Sequence, residues 1–256
     1  MNVLLSARDL RLAFGGVKAA DGIDLDVQEG EFLAIIGPNG AGKTTFINMT
    51  TGYLKPQGGS IAFRGEPILG MKPRRLVRMG IGRSFQLPQL FSEHTVRENV
   101  AIAIAAHRGI WSAASRLMRP AIRERADAIL ERFGLAAVAD RRGDALNEGH
   151  RKLADIAMAV ALEPSLILMD EPTSGVAAAD KMAIVETLVR VLRDARVTAV
   201  FVEHDMDVVA RFADRVAVWS QGKIAALGTP AAVLADPEVR RAVIGTALEP
   251  KADAAA

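Results

Sequence analysis

The amino-acid sequence predicts an α/β fold with a mixed, largely parallel core sheet, an antiparallel β region at the N-terminus and an inserted α-helical segment. Apolar runs of strand length occur at 32–36, 166–169 and 199–202, and such runs suit strands buried inside a sheet. Between residues 95 and 162 the strand patterns disappear and Ala, Arg, Glu and Leu dominate. A chain of 256 residues is long enough for one large domain with such an insertion.

The N-terminal part is expected to be β structure followed by a loop and a helix. Apolar and polar residues alternate over 23–28, which is the period-two pattern of a half-buried strand. The run 32–36 then forms a buried strand, and a glycine-rich loop leads from it into a helix predicted at 44–51. Gly58-Gly59 is expected to turn the chain into another strand at 60–64.

Helices and strands alternate in the second half of the chain. Apolar residues spaced one helical turn apart predict amphipathic helices over 151–163 and around 184–192. The second of these is of the crossover type that joins parallel strands, and the strand patterns 166–169 and 199–202 lie on either side of it. A β-hairpin is expected around Gln221-Gly222.

Composition excludes several classes of protein. Lysine and arginine number 32 against 30 acidic residues, a net charge of +2, so no nucleic-acid partner is expected. The chain has no cysteine, which excludes disulfides, thiolate zinc sites and cysteine nucleophiles. The longest apolar runs have seven residues, whereas a membrane-spanning helix needs about 20. Because residues 1–11 show no signal-peptide pattern, the protein is expected in the cytosol or on a membrane surface facing it.

Residues 37–44, Gly-Pro-Asn-Gly-Ala-Gly-Lys-Thr, fit the phosphate-loop pattern G-x-x-x-x-G-K-[ST]. Glycines let consecutive backbone N–H groups converge on phosphate oxygens, and the N-terminus of the following helix adds its positive dipole. The pattern assigns Lys43 to the β- and γ-phosphates and the Thr44 hydroxyl to Mg²⁺. A buried strand before the loop and a helix after it distinguish this loop from a chance glycine-rich turn.

Two carboxylates, Asp170 and Glu171, follow the strand pattern at 166–169. A parallel sheet presents its ligands at the carboxyl ends of its strands. Asp170 is therefore expected to hold Mg²⁺ directly or through water, and Glu171 to accept a proton from an attacking water. Two solvated acids at a strand end are common, but beside a phosphate loop the functional interpretation is favoured.

With these motifs the sequence resembles the ATP-binding subunits of ABC transporters, along essentially the whole chain. The resemblance implies a P-loop NTPase fold, an ATPase activity, and ATP and Mg²⁺ as ligands. It assigns segment 166–172 to the Walker B motif, with Glu171 as the catalytic carboxylate. It assigns the nucleotide-binding Walker A motif to Gly37, Pro38, Asn39, Gly40, Ala41, Gly42, Lys43, Thr44 and Thr45.

Three further single residues take roles from the resemblance. Gln86 falls at the Q-loop, which contacts Mg²⁺ and the attacking water and couples to the membrane partner. His204 falls at the switch histidine, which contacts the γ-phosphate, and Phe14 at the aromatic that stacks on adenine, a position usually held by Tyr. Taken alone, these residues are more often a surface amide, a structural histidine and a core aromatic, so their assignment depends on the order of the motifs.

Residues Leu146-Asn147-Glu148-Gly149-His150 fall where the family has its signature Leu-Ser-Gly-Gly-Gln. This segment is expected to open the helix 151–163, so that free N–H groups and the helix dipole contact ATP held by a second protomer. Asn147 replaces Ser and His150 replaces Gln, and Ala177 stands at the acidic position of the D-loop. We expect these departures to weaken turnover more than nucleotide binding.

Further segments, including 83–86, 95–99 and 203–206, resemble the LivG-type subunits of branched-chain amino acid importers. Importers for urea, short amides or aromatic acids share these traits. The resemblance implies a peripheral subunit at the cytoplasmic face of the inner membrane. Its partners are then membrane permease subunits, a second cassette and, indirectly, a periplasmic solute-binding protein. The second cassette is either an identical chain or a different sister chain, and the sister chain is favoured.

Three other functions stay open on the sequence. A lipopolysaccharide exporter ATPase has a similar sequence. An ABC ATPase of translation or DNA repair usually carries two cassettes or a long coiled coil, and this chain shows neither. A regulatory nucleotide-binding module without turnover would fit Asn147, His150 and Ala177.

The resemblance also divides the chain into four parts. Residues 1–94 hold the N-terminal β region and the phosphate-loop part of a RecA-like core, and 95–163 form the helical subdomain with the signature segment. Residues 164–245 complete the core with Walker B and the switch histidine, and 246–256 form a disordered tail.

Overall fold

The computed structural model describes residues 2–109 and 118–244, and the tail predicted to be disordered lies outside this range. The strands are β1 Val3–Phe14, β2 Val17–Gln28, β3 Phe32–Ile36, β4 Gly58–Phe63, β5 Glu66–Pro67, β6 Ile81–Ser84, β7 Leu166–Asp170, β8 Thr198–Val202, β9 Arg215–Ser220 and β10 Lys223–Gly228. The helices are α1 Lys43–Thr50, α2 Pro73–Met79, α3 Val96–His107, α4 Pro120–Arg132, α5 Glu148–Ala161, α6 Ala178–Asp194, α7 Met206–Phe212, α8 Pro230–Ala235 and α9 Pro237–Ile244.

Within the described residues these strands build two sheets. The smaller has the order β2-β1-β4-β5 and is antiparallel. The larger has the order β10-β9-β3-β8-β7-β6, in which β9 through β6 run parallel and β10 pairs antiparallel with β9. The predicted fold class, a mixed core sheet with an antiparallel N-terminal region, is thereby confirmed.

Strand β3 shows why an unbroken apolar run was needed at 32–36. Its alternate residues Phe32, Ala34 and Ile36 pack into one hydrophobic cluster with helices α3 to α6. Leu33 and Ile35 face the opposite side, where the antiparallel sheet and α1 form a second cluster. A strand covered on both faces requires apolar residues at every position. The helices of the inserted segment thus share their core with the sheet.

The predicted turn at Gly58-Gly59 was wrong, because both glycines lie inside β4. The β1–β4 register shifts between Arg8 and Arg11, and Gly59 has a φ of 86° at this irregularity. A Cβ atom on Gly59 would lie 2.3 Å from the Asp9 carbonyl oxygen. The glycine therefore permits a bulge between paired strands, which a local turn pattern resembles.

The helix predicted at 151–163 begins three residues earlier, at Glu148. The Asn147 side chain caps it by accepting a hydrogen bond from the His150 N–H at 2.8 Å, so the polar segment forms the cap and first turn of the helix. In the described part of the chain, no helix is long and apolar enough to cross a membrane. The division at residues 94, 163 and 245 stays a prediction.

Candidate active site

The glycine-rich loop connects β3 to α1, and two of its glycines are fixed by close backbone approach. Gly37 has a φ of 148°, and a Cβ atom there would lie 2.2 Å from the Trp219 carbonyl oxygen. Gly42 has a φ of 104°, and its Cβ would lie 2.0 Å from the Ala19 carbonyl oxygen. Only glycine accepts these conformations at such distances. The loop is therefore held between β9 on one side and β2 on the other.

The start of α1 is suited to an anion. Gly42 occupies the cap position and has no side chain that could accept the first N–H groups of the helix, which favours the use of these donors and the positive dipole end for a ligand. Lys43 is buried, and its Nζ donates to the carbonyl oxygens of Gly37 at 2.7 Å and Pro38 at 2.9 Å. Burial lowers the pKa of Lys43, while the charges of Glu171 and Asp170 oppose this shift.

Asp170, the last residue of β7, joins the phosphate-loop helix to the neighbouring part of the sheet. The Thr44 hydroxyl donates to Asp170 Oδ1 at 3.3 Å. Asp170 is 2% exposed, and burial raises the pKa of its carboxyl, against the opposing effects of the Thr44 hydrogen bond and the Arg83 charge. A hydroxyl and a carboxylate are the hard oxygen ligands that Mg²⁺ prefers, so this donor set fits the predicted ion.

Glu171, the residue after Asp170, lies at a sharp turn of the backbone. Its φ is 51°, in the left-handed region, and its N–H donates to the Val202 carbonyl oxygen at 3.1 Å. Its carboxylate meets two other predicted residues. Gln86 Nε2 donates to Oε2 at 2.9 Å, and His204 Nε2 lies 3.0 Å from Oε1. A left-handed non-glycine residue is strained, and such strain is often found at functional sites.

The sheet order explains how these residues meet. Gln86 follows β6, Glu171 follows β7 and His204 follows β8, and these three strands are adjacent and parallel. Their carboxyl ends therefore share one edge of the sheet, the usual ligand-binding edge of an α/β fold. The glycine-rich loop leaves β3, the next strand along, at the same edge.

The remaining predicted residues lie elsewhere. Phe14 ends β1 in the antiparallel sheet and is 51% exposed. The segment 147–150 opens α5, where a Cβ atom on Gly149 would lie 2.6 Å from Ile184 Cδ1 of α6. Ala177 occupies the cap position of α6 and offers no side-chain cap. The role of 147–150 at a second protomer's ATP stays a prediction.

Sequence reasoning missed two charged residues of α5 that contact this site. Lys152 donates to the backbone carbonyls of Gln86 and Glu171, and Asp155 accepts from the chain just before and after Gln86. The available signal was a lysine and an aspartate inside an otherwise apolar helical run.

A phosphate loop with two carboxylates at a nearby strand end defines a nucleotide-hydrolysing protein of the P-loop class. Residues 20–174 match the family model described as ABC transporter. The chain belongs to the ABC transporter family, and it is an ATP-binding ATPase subunit, as its motifs predicted.

Known relatives cover nearly the whole chain. The high-affinity branched-chain amino acid transport ATP-binding protein LivG of Salmonella typhimurium is 35% identical, covering 95% of this chain and 98% of the relative. The BraF protein of Pseudomonas aeruginosa, with the same description, is 34% identical over the same shares. Among solved structures, the ADP conformation of MJ1267, an ATP-binding cassette of an ABC transporter, gives a TM-score of 0.84 at 33% identity. The two align over 96% of this chain and 100% of that one.

Replacing Asp170 with asparagine is expected to stabilise the nucleotide-free protein. Burial raises the pKa of Asp170, so the folded state disfavours its ionised form. The penalty is full above the folded-state pKa and disappears below the ordinary carboxyl value of about 3.9. Thermal unfolding at pH 7 should give Asp170→Asn a higher Tm than the parent, with the difference shrinking toward pH 4. The exposed Asp194→Asn is the control, and a lower Tm for Asp170→Asn at pH 7 would contradict the argument.

Proposed function

We propose that this chain binds ATP together with Mg²⁺ and hydrolyses it to energise a membrane importer for branched-chain amino acids or related small solutes. The observation that carries the chemistry is the Glu171 carboxylate between Gln86 and His204, at the sheet edge where Thr44 meets Asp170. The solute class is supported by the LivG and BraF relatives, which are branched-chain amino acid transport ATP-binding proteins.

Each residue then has a defined task in hydrolysis. Lys43 and the first turn of α1 bind the phosphates, and Glu171 accepts the proton from the attacking water. Gln86 and His204 hold the Glu171 carboxylate in one orientation, which keeps this base aligned with the proton of the attacking water. Thr44 and Asp170, with the Gln86 amide oxygen, would hold Mg²⁺, which neutralises charge on the phosphate oxygens when bound.

A second cassette completes this proposal. The segment 147–150 would contact ATP held by the partner cassette. Because the Asn147 side chain already accepts from the His150 N–H, the N–H groups of Glu148 and Gly149 would be the donors. Phe14 would stack on adenine, and its exposed ring supports this role. Ala177 removes the acidic group expected between the two cassettes, so we expect slow turnover.

The permease would dock on the surface around residues 86–98. Large apolar side chains are exposed there: Leu87 is 74% exposed and Phe91 52%. Tyr53, 54% exposed, stacks edge-on against Phe85 beside the same loop. Exposed apolar side chains grouped in this way are typical of interaction sites. Docking there would place the chain on the cytoplasmic face of the membrane, with the solute-binding protein on the other side.

Phosphate release by the purified chain tests the chemistry, and uptake tests the transport. We expect hydrolysis that needs Mg²⁺ and stops when EDTA removes it, and loss of leucine, isoleucine and valine uptake when the gene is deleted. Co-purification with an importer-type permease supports the proposal. Co-purification with a lipopolysaccharide permease, or ATPase stimulated by ribosomes or DNA and not by membranes, would contradict it.

A further inference from the structure

Lys152 contacts the main chain of two residues whose side chains meet in the site. It lies in the second turn of α5 and is 1% exposed. Its Nζ donates to the carbonyl oxygen of Gln86 and, at 3.3 Å, to the carbonyl oxygen of Glu171. The Gln86 amide in turn donates to the Glu171 carboxylate at 2.9 Å. One ammonium group therefore fixes the backbone on both sides of that hydrogen bond.

Asp155 holds the same loop three residues further along α5. It is 6% exposed, and its Oδ2 accepts from the Ser84 hydroxyl at 2.8 Å and from the Phe85 N–H at 3.2 Å. Its Oδ1 accepts from the Gln89 N–H at 2.9 Å. The chain is thereby anchored before and after Gln86, so the loop cannot shift along the sheet edge without breaking these bonds.

Burying these two charges destabilises the folded state. Burial lowers the pKa of Lys152 and raises the pKa of Asp155, which shows that the protein interior disfavours both charged forms. Burying a charged side chain costs free energy even when hydrogen bonds partly offset the loss of water. The contacts of Lys152 and Asp155 with the Gln86 loop and with Glu171 indicate that the two residues position these groups.

We propose that Lys152 and Asp155 are positioning residues for ATP hydrolysis: from α5 they hold the Gln86 loop and the Glu171 main chain in the register at which the Gln86 amide meets the Glu171 carboxylate. This inference rests on the proposed function and adds to it. Because α5 begins at the segment 147–150, the helix proposed to contact the partner's ATP also sets the geometry of this chain's own base.

The test is the steady-state kinetics of Lys152→Met in the purified chain. Methionine keeps the length and volume of the side chain but loses the charge and the donors. Misplacing a base by about 1 Å can lower its rate a hundredfold, so we expect kcat to fall at least about tenfold with KM for ATP within about threefold. Lys152→Arg restores a donor and should recover much of the lost kcat.

A matched control separates positioning from simple loss of stability. Leu130→Ala creates a cavity in the core beside α4, away from these contacts, and should lower Tm. At temperatures well below the unfolding transition its kcat should equal that of the parent. If Lys152→Met loses no more kcat than Leu130→Ala does at an equal loss of Tm, the inference is overturned. Should Lys152→Met fail to fold, Asp155→Asn is measured in its place against the same criterion.

A double-mutant cycle tests the route through Gln86. If Lys152 acts through this residue, Lys152→Met should cost less activity in a Gln86→Ala background than in the parent. Equal losses in both backgrounds would overturn that route. The parent is assayed alongside: a parent without ATPase activity would refute the proposed function itself, whereas an active parent and an equally active Lys152→Met would refute only the positioning role.

Discussion

Glu171→Gln is expected to slow ATP hydrolysis by about 10²–10⁴-fold, the contribution typical of a positioned general base. ATP affinity should stay within about threefold, because the phosphate-binding donors at Lys43 and the start of α1 are unchanged. Glutamine keeps the shape of the side chain and can still meet Gln86 or His204, but it lacks the negative charge and cannot accept the proton. Single-turnover phosphate release and calorimetric titration with ATP measure the two effects separately.

The backbone of Glu171 makes this a clean substitution. The residue has a left-handed φ of 51°, and glutamate and glutamine bear that strain alike. Glu186→Gln is the matched control, since this exposed acid on α6 lies away from the site and forms an ion pair with Arg211. With hydrolysis stopped, the ATP-bound pair of cassettes should accumulate on size-exclusion chromatography. Hydrolysis by Glu171→Gln at the parental rate would show that another group is the base.

Local sequence patterns were sufficient for the parts of the site built by neighbouring residues. The glycine-rich loop follows the clear apolar run of β3 and leads into α1, whose end Gly52 indicated, and Asp170 directly ends β7. Each of these features is determined by a few consecutive residues, so the apolar runs and the glycine spacing reveal it.

Contacts between distant segments could not be derived in this way. The meeting of Gln86, Glu171 and His204 depends on β6, β7 and β8 being neighbours, and no local pattern specifies the order of strands in a sheet. Gln86 was assigned only through the resemblance, since β6 spans just Ile81–Ser84 and includes a glycine and an arginine. Such a short strand gives almost no periodic signal.

Lys152 and Asp155 were missed for a different reason. The apolar stripe of α5 predicts one buried face, but the helix is buried over 152–157 and again over 159–161. Polar residues in such a helix are expected on its solvent side, whereas these two are covered by the loop around Gln86. Their burial becomes intelligible only when the backbone groups they bind are known.

Lys43→Ala is expected to weaken ATP binding by at least about 100-fold. The ammonium would give the phosphates charge-assisted hydrogen bonds, each of which contributes about 1.5–3 kcal/mol, and the loss of two such bonds corresponds to that factor or more. The fold should tolerate the change. Alanine is a good helix former at the start of α1, and the substitution removes a buried cation whose pKa is already lowered by burial. We therefore expect a Tm within a few degrees of the parent.

Two further variants show whether charge alone is enough at this position. Lys43→Arg keeps the positive charge, but the Lys43 ammonium lies buried against the Gly37 and Pro38 carbonyl oxygens, where a planar guanidinium is a poor substitute. We expect Lys43→Arg to lose most of the affinity as well, while the exposed Lys72→Ala binds ATP like the parent. Calorimetry with Mg²⁺ and ATP decides between these outcomes. If Lys43→Ala bound ATP with parental affinity, the glycine-rich loop would not be the phosphate site, and Thr44 and Asp170 would lose their proposed place beside the nucleotide.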